Sequence, residues 1–406
     1  MSDATTPVPR VAYLDHAATT PVYPEVITAV AEQLARPGNA SSLHGSGRAA
    51  RRVVEESRET IAAALNARPS EVVFTSGGTE SDNLATKGLF WARHKQDDRR
   101  VRVLSSAIEH HAVLDSLRWL ASEAGAEVEL LPVDSHGRLD VDALAESVAR
   151  DPQSVAMVSV MLANNEVGTL QPLDAVVEIA AAQGIPVHTD AVQVMSQLPL
   201  DFAATGVDAM TVTGHKIGGP LGVGALVLRR EVELVALLHG GGQERDVRSG
   251  TIDSPAIVGL AVAAELAVKG RCERGVYLAG LRDDLIRRVT DVVPDAELNG
   301  PVGDGRLPGN AHLSFPGCEG DSLLMLLDAQ GIECSTGSAC SAGVPQASHV
   351  LLAMGRDEAT ARGSLRFSLG HTSTQHDIDR VVQAIGPAVE RARAAGVTGV
   401  AAGGRA

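Results

Sequence analysis

The chain has 406 residues, a formal net charge of −15, 44% hydrophobic residues, 21% charged residues and 2% aromatic residues. A chain of this length can bury a large core and suggests two or three domains. Its acidic balance argues against a surface for nucleic acid or an anionic membrane. No stretch has the length and apolarity of a membrane span, and Met1 to Arg10 lacks the apolar region of a secretory signal, so we expect a cytoplasmic protein.

Most of the chain alternates between short apolar runs and helical stretches. After a loose lead-in over residues 1–12, an amphipathic helix is predicted over 46–66. The alternation that follows indicates an α/β domain with a mostly parallel, seven-stranded sheet covered by helices on both faces. The last two strands are joined by too few residues for a helix, which favours an antiparallel pair. The predicted strands are 72–75, 101–104, 127–131, 155–160, 185–189, 208–212 and 223–228, and the predicted helices between them are 79–92, 110–124, 140–149 and 173–183.

Beyond about residue 255 the pattern changes to that of a smaller α+β domain. A long helix over 256–289 and a Gly/Pro-rich region over 299–309 come first. A strand (310–315), a helix (320–329), a strand-like turn (332–335), a strand (365–369) and a final helix follow. The predicted division is an N-terminal segment joining the small domain (1–18), a large domain (19–265), a small domain (266–395) and a disordered tail (396–406).

Four loops after predicted strands carry candidate ligand-binding residues, because ligands of such sheets bind beyond the carboxyl ends of the strands. The turn Ser76-Gly77-Gly78-Thr79 offers N–H groups and hydroxyls to a phosphate, or is an ordinary capped turn. His110 could stack on a ring, bind a metal or cap a helix. Asn165 follows a buried strand, and Asp190 could hold a protonated ring nitrogen or cap the next helix.

Lys216 stands between an apolar run and the Gly-rich stretch 217–222, where backbone can approach a ligand closely. A lysine in such a place is a candidate for imine chemistry with a carbonyl cofactor. In chain order, the phosphate-type turn, His110, Asp190 and a lysine 26 residues later supply what pyridoxal phosphate needs. These are donors for its phosphate, an anion for its ring nitrogen and an amine for its aldehyde.

The chain also resembles the cysteine desulfurase family of the IscS/NifS type, whose members are fold-type-I pyridoxal-phosphate enzymes and usually homodimers. The likeness runs from Tyr13 almost to the final helix, with the motifs in family order. The motifs are FTSGGTESDNL (74–84), EHHAVL (109–114), NNEVG (164–168), GHK (214–216), GGGQER (240–245), GSACS (337–341) and LRFSLG (365–370).

The resemblance implies a role for each site residue. Lys216 carries the cofactor and later moves the substrate's proton, Asp190 pairs with the ring nitrogen, and His110 stacks on the ring. Cys340, in the small, Gly-containing segment 335–343, is the nucleophile that accepts sulfur as a persulfide. The remaining implied contacts are Gly78, Thr79, Asn165, Gln193, Thr213 and His215 for the cofactor, Thr251 for the cofactor of the neighbouring subunit, and Arg366 and Asn39 for the substrate carboxylate.

The implied reaction converts L-cysteine to L-alanine and supplies sulfur to an acceptor, such as an iron–sulfur scaffold or a tRNA-thiolating enzyme. Selenocysteine lyase is the main alternative. Other fold-type-I enzymes, such as an aminotransferase or a kynureninase-like hydrolase, need no carrier thiol. A non-enzymatic metal or iron–sulfur scaffold would use Cys318, Cys334 and Cys340, but these lack ligand spacing. We expect Cys272, Cys318 and Cys334 to be reduced thiols with structural or accessory roles.

Overall fold

The computed structural model describes residues 11–337 and 347–403, with side chains up to residue 395. Its strands are β1 (Ala12–Tyr13), β2 (Val72–Thr75), β3 (Arg102–Ser106), β4 (Glu127–Leu131), β5 (Val155–Ser159), β6 (Val187–Asp190), β7 (Ala209–Thr213), β8 (Gly224–Leu228), β9 (Glu297–Asn299), β10 (Asn310–Ser314), β11 (Ile332–Glu333) and β12 (Ser364–Ser368). Its α-helices are α1 (Pro24–Leu34), α2 (Gly45–Ala64), α3 (Gly78–Gln96), α4 (His111–Glu123), α5 (Val141–Arg150), α6 (Leu173–Ala181), α7 (Phe202–Thr205), α8 (Ser254–Val268), α9 (Arg271–Val292), α10 (Gly320–Asp328), α11 (His349–Ala353), α12 (Glu358–Arg362) and α13 (Gln375–Gly403).

The main layer is a seven-stranded sheet with the strand order β2-β8-β7-β6-β5-β3-β4. Strands β3 to β7 pair in parallel, whereas β8 is antiparallel to both β7 and β2. This confirms the predicted α/β fold with a mostly parallel seven-stranded sheet. The antiparallel step follows from the short connection between β7 and β8, which is too short for a crossover helix.

Helices cover both faces of this sheet, because its strands are apolar on both sides. In β2, Val72 and Phe74 pack into one buried cluster and Val73 into another, as alternation along a strand requires. The first cluster includes residues of α2, α6 and α8, and the second includes residues of α3 and α4. The sheet is therefore a rigid platform whose carboxyl edge can hold a site.

A second, smaller unit is built on the antiparallel sheet β12-β10-β9. Its buried cluster joins Leu285 of α9, Phe367 of β12 and Ile385 of α13. The N-terminal strand β1 pairs in parallel with β11, so the first described residues belong to this unit. The predicted domain limits near residues 18 and 265 stay a prediction.

Three stretches differ from the sequence prediction. The single helix expected over 256–289 is two helices, because Gly270 adopts a left-handed conformation (φ 64°) between α8 and α9. Residue Ala12, expected in a loose lead-in, is fully buried in β1. That pairing joins distant parts of the chain, and so local sequence did not indicate it.

The predicted disordered tail is the third difference, since α13 continues through 396–403. The helix is already nucleated by buried residues such as Ile378 and Ile385, and adding a residue to an existing helix costs little. Residues 404–406 lie outside the described range. No helix in the described part of the chain is long and apolar enough to cross a membrane.

Candidate active site

A pocket of about 380 Å³ lies at the carboxyl edge of the large sheet and reaches the small unit. Such a volume lies within the range of small-molecule sites, roughly 300–1,000 Å³. The pocket is positioned by the ends of β6 and β7, the start of α3, and residues of β12. Most of the predicted site residues line it: Gly78, Thr79, His110, Asn165, Asp190, Gln193, Thr213, His215, Lys216 and Arg366.

The phosphate-type turn forms one end of the pocket. Helix α3 begins at Gly78, directly after Gly77, whose φ of 147° few side-chain-bearing residues adopt. The first N–H groups of a helix have no partner within it, and they favour an anion. A Cβ added to Gly78 would lie 3.2 Å from Val192 Cγ2, so glycine keeps this end open. The buried Nδ1 of His215 has no hydrogen-bond partner in the described structure.

Asp190, the last residue of β6, also lines the pocket. Its Oδ1 accepts a hydrogen bond from the Val192 N–H at 2.9 Å, which fixes the carboxyl group. Burial raises the pKa of Asp190 to about 6, although that hydrogen bond and the Lys216 charge both lower it. A cationic group in the pocket, such as a protonated ring nitrogen, would lower this pKa and favour the carboxylate further.

Lys216 follows β7 in a short 3₁₀ turn and reaches back into the pocket. Its Nζ donates to the carbonyls of Ala17 (2.5 Å) and Ala18 (2.6 Å), which belong to the N-terminal segment. Burial, followed by the nearby charge of Arg366, lowers the pKa of Lys216 to about 8. Roughly a tenth of the amine is therefore unprotonated at pH 7, far more than for an ordinary lysine, as a nucleophilic lysine requires.

His110 precedes α4 and caps it, since its Nδ1 accepts a hydrogen bond from the Ala112 N–H at 3.1 Å. The ring proton therefore stands on Nε2. His110 lines the pocket and is exposed in this chain. Desolvation by the surrounding protein, together with the Lys216 charge, lowers the pKa of His110 to about 4, so that the ring is neutral at physiological pH.

Arg366 of β12 lies in the wall formed by the small unit. Its Nη1 donates to the Asn165 carbonyl at 3.0 Å and its Nη2 to Asp15 Oδ1 at 2.8 Å. The buried Nε has no hydrogen-bond partner among the described residues. A guanidinium held in this way presents a planar set of donors that suits a carboxylate.

The pocket fits pyridoxal phosphate. Unpaired helix N–H groups and the free His215 Nδ1 suit a phosphate, Asp190 suits a ring nitrogen, and Lys216 suits an aldehyde. All of these residues line one continuous pocket. The donor set therefore supports this cofactor on geometry alone.

Comparison with known proteins agrees with this fit. The family model for aminotransferase class-V matches residues 12–381. The chain belongs to this family. A curated relative, the IscS-like cysteine desulfurase of Mycobacterium tuberculosis, is 56% identical over 96% of this chain and 99% of its own. The cofactor of this class-V group is pyridoxal 5′-phosphate, and the chain is an enzyme of the group.

Solved structures of class-V relatives share the whole fold. A protein described as NifS-like superposes with a TM-score of 0.86 at 35% identity, covering 94% of this chain and all of that one. A structure described as SspA in complex with cysteine has a TM-score of 0.74 at 33% identity, covering 89% of this chain and 99% of that one. The fold-type-I prediction is thereby confirmed.

Two predicted site residues, Asn39 and Thr251, do not line the pocket of this chain, and a third lies outside the described residues. Asn39 is exposed, and its Oδ1 accepts from the Ser41 N–H at 2.8 Å, which is an Asx turn. Thr251 is exposed beyond the pocket. Cys340 lies outside the described residues, although Gly337, three positions earlier, lines the pocket. The roles of these three residues stay predictions.

Two of the remaining cysteines, Cys318 and Cys334, are unlike a reactive thiol. Cys318 and Cys334 are free and buried, whereas Cys272 is free and exposed. Burial raises the pKa of Cys334 to about 12, so its thiolate is scarce at neutral pH. Within the described ranges, no group of three or more His, Cys, Asp or Glu side chains is placed to hold a metal ion.

Sequence reasoning missed several residues of the pocket. Asp15 pairs with Arg366, and the carbonyls of Ala17 and Ala18 bind Lys216. These contacts join the N-terminal segment to residues 198 to 351 positions further along the chain, and local patterns carry no signal for them. Asp82 also lines the pocket, and here a signal existed, because it follows Thr79 by three positions and so shares a face of α3.

Proposed function

We propose that the protein is a pyridoxal-phosphate-dependent cysteine desulfurase that converts L-cysteine to L-alanine and leaves the sulfur on Cys340 as a persulfide. The observation that carries the proposal is that Gly337 lines the same pocket as Lys216 and Arg366. Gly337 precedes Cys340 by three positions in the chain. The names of the class-V relatives support the same reaction.

Arg366 binds the carboxylate of the substrate in this proposal. Its free Nε and its two Nη groups offer donors on one plane, and the Asn165 carbonyl fixes their orientation. A charge-assisted pair of this kind holds the amino acid with its α-carbon in a defined place. The substrate carboxylate then either binds the guanidinium together with Asp15 or displaces Asp15 from it.

Lys216 moves the α-proton. Pyridoxal phosphate, when bound, supplies a carbonyl that captures the substrate amine and a ring that takes up electrons from the α-carbon. Asp190 would hold the proton of the ring nitrogen, and His110 would contact the ring as a neutral imidazole. As a free amine with a pKa of about 8, Lys216 is the base that removes the α-proton and later returns it.

Cys340 performs the sulfur transfer. Its thiolate attacks the sulfur of the substrate, forming an S–S bond while the Cβ–S bond of the substrate breaks. The carbon skeleton keeps the electron pair of that bond, gains a proton and leaves as L-alanine. The product on the protein is a persulfide, whose outer sulfur is then passed on.

A homodimer explains the position of Thr251. We propose that this exposed residue contributes to the cofactor site of the neighbouring subunit, as its place outside its own pocket supports. The apolar side chains of Ile27, Leu34 and Leu43 are exposed near the N-terminal helices and suit a subunit interface.

The persulfide must reach an acceptor protein, and we propose an iron–sulfur scaffold or a tRNA-thiolating enzyme in that role. The IscS-like name of a close relative supports the first of these. Sulfur transfer by a cysteine thiolate requires a reducing compartment, and we therefore propose that the protein acts in the cytoplasm.

A pair of cysteine variants tests the proposal. Cys340→Ala should retain the bound cofactor and its spectral response to L-cysteine, yet release no sulfide in the presence of a thiol reductant. Cys334→Ala is the matched control and should release sulfide at close to the unmodified rate. Full sulfide release by Cys340→Ala would overturn the assignment of the nucleophile. Rates on L-selenocysteine, measured in parallel, decide between desulfurase and selenocysteine lyase.

A further inference from the structure

Three carboxyl groups are buried around the end of the pocket that holds Asp190. Asp82 comes from α3 and is 1% exposed, and Glu109 directly precedes His110 and is 0% exposed. Asp190 itself is 7% exposed. The cofactor's ring nitrogen offers a single positive charge here, so this cluster holds more acidic groups than that charge can pair.

Asp82 has the weakest set of partners. Its Oδ1 is buried and makes no hydrogen bond with any described residue. The nearest basic group is His188 Nε2, at 3.6 Å from that oxygen. Burial lowers the pKa of His188 to about 3, so this ring is neutral and does not balance a carboxylate.

The other groups packed around Asp82 do not supply a positive charge either. From β7, the Thr211 hydroxyl lowers the pKa of Asp82 but carries no charge, and from β6 the charge of Asp190 repels the carboxylate and raises that pKa. Glu109 adds a second repulsion. Lys216 acts on Asp190, and it is not among the groups that act on Asp82.

We propose that Asp82 keeps its proton in the folded protein and acts as a positioning residue for Asp190, which is thereby the carboxylate that faces the ring nitrogen of the cofactor. The effect that we assign to Asp82 on the cofactor ring rests on the proposed function. The protonation of Asp82 does not, because it follows from the apoprotein's own contacts.

The physical reason is the cost of a second buried anion. An ionised carboxylate without a partner is strongly disfavoured in a low-dielectric interior, and a neighbouring carboxylate increases that cost. Burial and the charge of Asp190 both raise the pKa of Asp82 well above its ordinary value. With Asp82 neutral, the ring nitrogen and Asp190 form a matched pair, which keeps the nitrogen protonated and the ring electron-withdrawing.

Infrared spectroscopy of the apoprotein tests this directly, since the C=O stretch of a protonated carboxyl group is separate from carboxylate bands. At pH 8 Asp190 is ionised, because its pKa is about 6. The C=O band of a protonated aspartate should persist at this pH, and it should shift when the side-chain carboxyl carbon of every aspartate is labelled with ¹³C. Asp82→Asn should remove that band, whereas the control Glu109→Gln should remove a different, unshifted band.

The pH dependence of unfolding gives a second, independent readout on the same apoproteins. A carboxyl group with a raised pKa binds a proton that the unfolded chain releases, so stability falls as the pH rises above about 4, until the folded-state pKa is reached. Each such proton changes the unfolding equilibrium constant tenfold per pH unit. Between pH 5 and 8, the pH dependence of the unfolding equilibrium should therefore correspond to one proton fewer in Asp82→Asn than in the unsubstituted apoprotein.

Both outcomes are decisive without any assay of desulfurase activity. The absence of a protonated aspartate band from the labelled, unsubstituted apoprotein at pH 8 would overturn the proposal, whether or not Asp82→Asn folds. A band that survives Asp82→Asn would overturn it as well. Loss of the band in an enzyme that proves inactive on L-cysteine would leave this inference standing and contradict only the proposed function.

Discussion

Arg366 and Asp15 form an ion pair in the wall of the pocket, with 2.8 Å between Nη2 and Oδ1. The guanidinium is 5% exposed and the carboxylate 23% exposed, so the pair is largely shielded from solvent. These residues are 351 positions apart in the chain, and the N-terminal segment brings them together by pairing with β11 and β12. Asp15 thus neutralises Arg366 where the substrate carboxylate is expected to bind.

Removing the guanidinium should weaken substrate binding. A hydrogen bond to a charged group contributes about 1.5–3 kcal/mol, which corresponds to roughly 10- to 100-fold in affinity. We therefore expect Arg366→Ala to raise KM for L-cysteine by about that factor, measured by initial rates of alanine formation. Arg362→Ala, on the exposed helix α12, is the control and should leave KM unchanged. An unaltered KM in Arg366→Ala would contradict the carboxylate role.

The reactivity of Lys216 should follow a pKa of about 8. Only the neutral amine attacks an aldehyde, so the rate of covalent attachment of pyridoxal phosphate to the apoprotein should rise about tenfold per pH unit below pH 8 and level off above it. The attachment is measured by its absorbance in stopped-flow mixing.

A variant of Asp15 tests the cause of this pKa. Because the negative charge of Asp15 raises the pKa of Lys216, Asp15→Asn should move the profile to lower pH. Lys95→Ala, at an exposed position, should leave the profile in place. A rate that keeps rising to pH 10, as for an ordinary lysine, would show that the pocket does not activate this amine.

A buried ion pair fixes the loop that leads to Thr251. Arg58 donates from Nη1 and Nη2 to the two carboxylate oxygens of Glu244, at 2.7 and 2.8 Å, and Glu244 is 1% exposed. Truncating one partner of such a pair leaves an unpaired buried charge, so Glu244→Ala should lower the free energy of unfolding by about 3–5 kcal/mol. Urea denaturation of the apoprotein measures it.

An exposed pair provides the comparison. Glu56 pairs with Arg52 on the solvent face of α2, and both side chains are more than half exposed. Glu56→Ala should therefore change the free energy of unfolding by less than about 0.5 kcal/mol. If the two variants lost equal stability, the Arg58–Glu244 pair would not be the anchor that its burial indicates.

The sequence predicted the strands and loops that carry the site better than it predicted the long-range contacts that complete the pocket. Strand β4 has its predicted bounds, and the placement of Asp190 near Lys216 followed because β6 and β7 end at the same edge of the sheet. These features depend on local apolar patterns and on general rules for parallel sheets. They require no knowledge of the distant chain.

The contacts that close the pocket could not be predicted in this way. The hydrogen bonds from Lys216 to Ala17 and Ala18 span nearly 200 residues and use backbone carbonyls, which any residue type could supply. Similarly, the break at Gly270 divides an otherwise continuous helical pattern, and a single glycine is compatible with either outcome until packing is known.

Mass spectrometry of Cys340 after reaction with L-cysteine tests the central claim most directly. The protein is mixed with a limiting amount of substrate, blocked with an alkylating reagent and digested. We predict one added sulfur atom on the peptide that contains Cys340, matched by one L-alanine released, and no added sulfur in the Lys216→Ala variant. L-Alanine formed with the added sulfur on Cys334 or Cys318, or with none on any cysteine, would contradict the account.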